Sequence, residues 1–461
     1  MSKTDAVLER LDKGLDEAIE RLFRLVKIES ISTDPAYAEQ CRKAAELLAA
    51  DLGSIGFDAK VHKTTGHPMV LAKHHKQPGK PHVLFYGHYD VQPVDPIELW
   101  EMSPFEPSIV ETVDGKKQLR GRGTSDDKGQ LMTFVEAARA WVAETGELPL
   151  NVTILFEGEE ESGSPSLPAF LDEFKDELKA DVALVCDTGM WDEDTPAIST
   201  GLRGLMGDEI FIQAADRDLH SGMYGSAAAN PIHILTSILA EMRDAEGRIT
   251  LDGFYDGVHE VPEEIREQWR ELERGRPDML SEIGLSVPAG EKGYSALEQT
   301  WSRPTAEVNG IWGGYQGEGA KTVIPAKAGA KITFRLVGDQ DPAEIRESFR
   351  SFVKARIPAD CTVEFKESGG SPGITLDHTL PEFQKATTAL HEEWGRDTAL
   401  IAMGGSIPIV GDFQKVLGMD SLLIGFAHAD DRIHSPNEKY DLKSFHKGMR
   451  SWACILQTLA E

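Results

Sequence analysis

Cysteine is scarce in this chain of 461 residues: Cys41, Cys186, Cys361 and Cys454 are all there is, and no two form a CxxC pair. That spacing excludes a disulfide framework and a thiolate zinc site, and it predicts a reducing compartment, the cytoplasm. Long apolar runs are missing too. No stretch approaches the roughly 18 apolar residues that a membrane helix needs. The opening MSKTDAVLERLDKGLDEAIERL carries charges throughout and lacks the apolar centre of a signal peptide. Positive charge is in short supply, with 48 Lys and Arg against 77 Asp and Glu and a formal charge of −29. Such a surface repels phosphate backbones and anionic lipid, so neither nucleic acid nor membrane is an expected partner.

What is present is a globular balance, 40% hydrophobic and 27% charged, over a length that predicts two or more domains. Val7, Leu8, Leu11, Leu15, Ile19, Leu22, Phe23 and Val26 recur at three- and four-residue spacings, which predicts an amphipathic helix over 5–28. A second such pattern covers about 37–55, with Gly56 as its stop. Four short apolar runs come next: HVLFY (82–86), NVTILF (151–156), DVALVC (181–186) and SLLIGF (421–426). Short runs that are largely apolar throughout suit strands buried on both faces of a mostly parallel sheet. Helical patterns at 128–144 and 166–178 lie between them, giving an α/β alternation.

Between about 204 and 372 the texture changes to polar/apolar alternation, as in GLMGDEIFIQAADRD and AKAGAKITFRLVG, with helical patterns at 229–245 and 341–356 and a further strand at 361–367. The expected architecture is an α/β catalytic domain over 1–203 and 374–461, its mostly parallel sheet flanked by helices. An α+β domain is inserted at 204–373. The polar stretch 253–300 carries no clear pattern.

Metal-capable side chains stand directly after the buried runs. HVLFY leads into His88 and Asp90, NVTILF into Glu157, Glu159, Glu160 and Glu161, DVALVC into Asp187, and SLLIGF into a segment with His428 and His434. The carboxyl ends of strands in an open α/β sheet share one edge, so these groups converge. Taken singly, each has a plain structural reading: a helix cap in GRGTSDDKG (121–129), a solvated acidic loop, a surface histidine. Together they place several carboxylates within a few ångströms. Each such pair costs on the order of 4 kcal/mol at 4 Å and an effective dielectric of about 20. No matching set of Lys or Arg succeeds the same strands, so divalent cations are the expected compensation, and mixed imidazole and carboxylate ligands suit zinc or manganese.

YGHYDVQP (86–93), GRGTSDDKG, EGEEESGS (157–164) and VCDTG (185–189) resemble the metal-binding segments of the M20 metallopeptidases. DLHSG (218–222), AKTVIP (320–325), FRLVG (334–338), GGSIP (404–408) and HSPNEK (434–439) continue the match in order, and the resemblance is to the dipeptidase branch. It implies two divalent ions per subunit, held by His88, Asp126, Glu161, Asp187 and His434, with Asp126 bridging beside a cis peptide to Asp127. Asp90 would orient His88, and Glu160 would be the general base. His220 would stabilise the oxyanion from a partner subunit, which makes the inserted domain a lid and dimerisation surface. Arg335, Thr322 and Ser406 would grip the free carboxylate of a small peptide. The part of Glu159 is left unassigned. An N-acyl-amino-acid amidohydrolase on the same scaffold is the alternative reading.

Overall fold

The computed structural model describes residues 2–274, 279–405 and 407–461. Contacts divide it into two units. One runs to Thr200 and resumes over Leu376–Leu400 and Ile409–Glu461; the other comprises Gly201–Thr375 and Ile401–Pro408. The segment carrying GGSIP therefore groups with the second unit rather than with the chain on either side of it.

In the first unit the four apolar runs become Asn151–Glu157, His82–His88, Val182–Val185 and Ser421–Leu423, adjacent in that order. All three pairings among them are parallel. The flanking strands are antiparallel: Met69–His74 pairs with Asn151–Glu157, Asp58–His62 with Met69–His74, and Ala197–Leu202 with Ser421–Leu423. A mixed sheet with a parallel centre results. Helices Lys128–Thr145 and Leu442–Ala460 pack beside this centre, where Phe85 stacks on Phe134 at 3.8 Å and Trp452 meets Phe85 edge-on at 5.5 Å. Lys128–Ala138 is buried without a break, as expected of a helix enclosed on all sides.

The expected helix over 5–28 is two helices, Lys3–Lys13 and Leu15–Val26, which meet at Gly14. The apolar spacing continues through the break, so periodicity alone did not reveal it. The pattern at 37–55 is the helix Ala38–Ser54, and Gly56 adopts φ +93° just beyond it. The pattern at 166–178 is likewise split, into Leu167–Glu173 and Lys175–Leu178.

The second unit holds a four-stranded antiparallel sheet in the order Thr305–Gly313, Lys327–Leu336, Gly204–Gln213, Thr362–Ser371. Met206, Ile210 and Ile212 lie beside Ala328, Ala330, Ile332 and Phe334 on one face of this sheet, in a core closed by the helices Pro231–Glu241 and Pro342–Lys354. This is the one-sided burial that strand alternation predicts. The stretch 253–300, patternless in sequence, contains the helices Glu263–Glu273 and Ala296–Trp301.

Candidate metal centre

Three parallel strands deliver acids and imidazoles to one edge of the sheet. His88 ends its strand opposite Glu157, Asp187 lies two residues beyond Val185, and Glu160 and Glu161 sit in the short turn Glu160–Ser162 after Glu157. Asp126 comes from the turn ahead of the helix Lys128–Thr145, where the Asp126–Asp127 peptide is cis. His434 comes from the loop after Ser421–Leu423 and adopts φ +62°.

The two oxygens of Asp126 face two imidazoles. Oδ1 lies 3.0 Å from His88 Nε2, and Oδ2 lies 2.9 Å from His434 Nε2, which is also 3.1 Å from Glu161 Oε2. The result is two sets of potential ligands, His88–Asp126–Asp187 and Asp126–Glu161–His434, with the ligand atoms of each set within 4.8 Å of one another. Asp126 is common to both.

The donor pattern fits a cation. His88 Nδ1 lies 3.1 Å from the backbone carbonyl of Asp90, which can only accept, and 3.4 Å from Asp90 Oδ1. Nδ1 therefore carries the proton, and a neutral ring turns the Nε2 lone pair toward a carboxylate oxygen. Two lone pairs 3.0 Å apart need positive charge between them. Burial works to lower the His88 pKa, but the hydrogen bonds to Asp126 and Asp90 win and hold it well above the ordinary imidazole value. Hydrogen bonds to Asp126 and Glu161 push His434 up to about 10. Protons thus gather where a divalent ion would sit. Burial, with neighbouring carboxylates, pushes Asp187 up to about 7 and Glu160 up to about 8. Burial opposes ionisation of Asp126 as well, yet the bonds from His434 and His88 keep it ionised below the usual range.

The sequence pattern of the peptidase family M20/M25/M40 matches residues 84–458. The chain belongs to that family. It is 29% identical to the Cys-Gly metallodipeptidase DUG1 of Saccharomyces cerevisiae, over 99% of this chain and 98% of that protein. Among solved structures, human carnosine dipeptidase 1 superposes with a TM-score of 0.81 at 25% identity, covering 100% of this chain and 99% of that one. The M20 metallo-carboxypeptidase Sso-CP2 of Sulfolobus solfataricus gives 0.81 at 30% identity, with 96% and 99% covered.

Around the two ligand sets, this M20 peptidase has supports that its sequence did not disclose. Asp90 Oδ2 accepts from the backbone N–H of Glu161 at 3.1 Å, and Gln92 Nε2 donates to Glu161 Oε2 at 2.7 Å. Asp127 Oδ2 accepts from the His88 N–H at 3.0 Å. Glu159 faces away from the ligands: its carboxylate accepts from the N–H groups of His67 (2.7 Å) and Ser166 (3.0 Å), fastening a loop to the start of the helix Leu167–Glu173. A third acidic group, His428–Asp430–Asp431, already contains its cation, because Lys439 Nζ lies 2.8 and 2.7 Å from the two aspartates.

The remaining sequence-predicted residues belong to the second unit. His220 and Thr322 are neighbours on a small two-stranded ladder: His220 pairs with Val323, and the Ser221 N–H donates to the Thr322 carbonyl at 3.0 Å. His220 is exposed, and its Nδ1 accepts from the Gly222 N–H at 3.0 Å, so the neutral ring carries its proton on Nε2 as a donor. Arg335 is half-buried opposite Leu205 and Thr305. Arg203, which no sequence motif singles out, stands near enough that burial and the Arg335 charge push its pKa down to about 10. Its Nε donates to the carbonyl of Gly404 at 3.3 Å, within GGSIP. Ser406 lies outside the described residues.

Proposed function

We propose that this M20 peptidase is a metal-dependent dipeptidase that cuts the peptide bond next to a free C-terminal carboxylate. The observation that carries the reading is the shared Asp126, whose two oxygens each face an imidazole Nε2 at about hydrogen-bond distance. That arrangement suits two divalent ions, Zn2+ or Mn2+, held by His88, Asp126 and Asp187 on one side and by Asp126, Glu161 and His434 on the other. Bound there, such ions lower the pKa of water toward neutrality and polarise a carbonyl.

This chain's own residues supply the rest. Glu160 takes the proton of the attacking water and returns it to the leaving amine. Asp90, through His88 Nδ1, keeps Nε2 aimed at the centre. The His220 Nε2–H donates to the oxyanion. Arg335, with Thr322 and Ser406, binds the substrate carboxylate; the planar guanidinium fork matches two carboxylate oxygens, and Arg203 adds positive potential nearby. We assign His220 to the neighbouring site of a homodimer, with the second unit as lid and dimerisation surface, and place the enzyme in the cytoplasm. The activities of the relatives support the substrate class: Cys-Gly and carnosine are dipeptides, and a carboxypeptidase also cuts beside a free carboxyl terminus.

The direct test is metal analysis of the purified protein, then turnover of a dipeptide panel beside N-acetyl and N-succinyl amino acids, before and after chelation. Hydrolysis of dipeptides that vanishes with the metal and returns with Zn2+ or Mn2+ is expected. Full-rate hydrolysis after complete chelation, or a clear preference for the N-acyl substrates, overturns the reading.

A further inference from the structure

Glu438 belongs to neither ligand set, yet it is fully buried, and most of the donors around the Asp126 turn converge on it. Its Oε1 accepts from the backbone N–H groups of Ser125 (2.9 Å) and Asp126 (3.1 Å). Its Oε2 accepts from the Gly123 N–H (2.9 Å) and from Arg122 Nη1 (2.8 Å), a guanidinium that is itself 1% exposed. The Glu438 carbonyl accepts from the Gly121 N–H at 3.1 Å. One residue therefore holds four of the six backbone N–H groups from Gly121 to Asp126.

We propose that Glu438 is a positioning residue for the metal centre: its carboxylate shapes the 121–126 turn so that Asp126 faces both imidazoles. The inference rests on reading that centre as a metal site. Glu438 also ends the loop that presents His434, four residues earlier, so it fastens the ligand shared by both sets to the loop that delivers a ligand of the second. A second tether runs in parallel, from Ser125 Oγ to Asp431 Oδ2 at 2.7 Å.

Chemistry requires a carboxylate here. Four donors meet two oxygens, two at each, and an amide has only one acceptor oxygen. Whichever way a glutamine side chain is turned, its NH2 points at two donors and leaves them buried without partners. Its neutral charge also leaves Arg122 unpaired in the interior. The isosteric change is therefore expected to displace the turn rather than preserve it.

The test compares wild type, Glu438→Gln and the charge-balanced double variant Arg122→Met/Glu438→Gln, each stripped of metal. Thermal unfolding reports the fold, and calorimetric titration with Mn2+ reports the centre. Displaced ligand supports typically cost 10- to 100-fold in metal affinity. A loss of about that size is expected in both variants, with the metal-free double variant still unfolding in a single cooperative transition above the titration temperature. Unchanged Mn2+ affinity in the folded double variant overturns the proposal. So does a large fall in metal-free stability with affinity retained, because that pattern marks a purely structural role. Wild-type protein that takes up neither Mn2+ nor Zn2+ overturns instead the metal reading beneath it, whatever the variants do.

Discussion

Glu160 and Asp187 are acids held in a place that disfavours their charge, and this sets how they behave without metal. Burial and neighbouring carboxylates push Glu160 up to about 8 and Asp187 up to about 7, against about 4 in an unfolded chain. The folded state thus keeps protons that the unfolded state has released. The stability this confers is complete below the unfolded pKa and is lost as pH rises through the folded values. The metal-free protein is expected to melt at progressively lower temperature from about pH 5 to 8, while the rise in melting temperature on adding Mn2+ grows over the same window, because a cation needs its ligands ionised. Scanning melting temperature with and without chelator at each pH measures this; a metal-free melting point that stays flat or climbs across the window contradicts it. As general base, Glu160 makes a second prediction. Glu160→Gln keeps the volume and is expected to retain metal content while kcat falls by at least about 100-fold. Near-normal turnover by a metal-loaded Glu160→Gln enzyme removes the assignment. At this scale the convergence of His88, Asp187, His434 and the 159–161 glutamates could be anticipated because acids and imidazoles after buried runs have few other reasons to recur in order; Asp126 follows no such run, and only the family resemblance singled it out. The supports of these groups could not be anticipated. Nothing in EGEEES separates Glu159, which fastens a loop through His67 and Ser166, from its neighbours, and Glu438 looks like one more surface acid until the donors around it are seen.

The elements that build the sheet centre were legible for a physical reason. Strands covered on both faces are mostly apolar along their whole length, and the four runs read in this way are the four parallel strands. The antiparallel strand Asp58–His62 was not legible, since an exposed edge imposes little on its residues; it mixes exposed and half-buried positions with no fully buried one. The join between turn and helix at Lys128 makes a prediction at this scale. The first helical turn approaches the metal turn so closely that a Cβ on Gly129 would lie 1.8 Å from the Thr124 carbonyl oxygen and 2.9 Å from Tyr440 Cδ1. A backbone carbonyl cannot rotate away as a flexible side chain would. Gly129→Ala must therefore push the 121–126 turn off the helix, at a cost of about 1–3 kcal/mol, and it is expected to weaken metal binding as well. Urea unfolding of the metal-free variant and Mn2+ titration read the two effects separately. An alanine enzyme with wild-type stability and affinity would show that the turn has room to spare.

For the molecule as a whole, the texture changes near residue 204, where apolar runs give way to alternation, and the alternating strands form a separate antiparallel sheet. Sequence has no purchase on Ile401–Pro408, because eight residues that run from the second half of the strand Ala399–Met403 to the first residue of the helix Pro408–Asp412 carry no periodicity of their own; only contacts reveal that they group with the second unit. Assembly is the remaining question at this scale. If His220 serves the site of the partner subunit, each active site needs Glu160 from one chain and His220 from the other. His220→Ala and Glu160→Gln homodimers are then both inactive while folded, and mixing them restores complete sites. In a hybrid dimer the His220→Ala chain contributes an intact Glu160 and receives an intact His220 from its partner, while the other site lacks both. After full exchange at equal concentrations half the dimers are hybrids with one complete site in two, so activity should return to about a quarter of wild type. Differently tagged chains allow exchange to be tracked independently. Exchange that proceeds to completion with no return of activity means that His220 acts within its own chain or outside catalysis altogether.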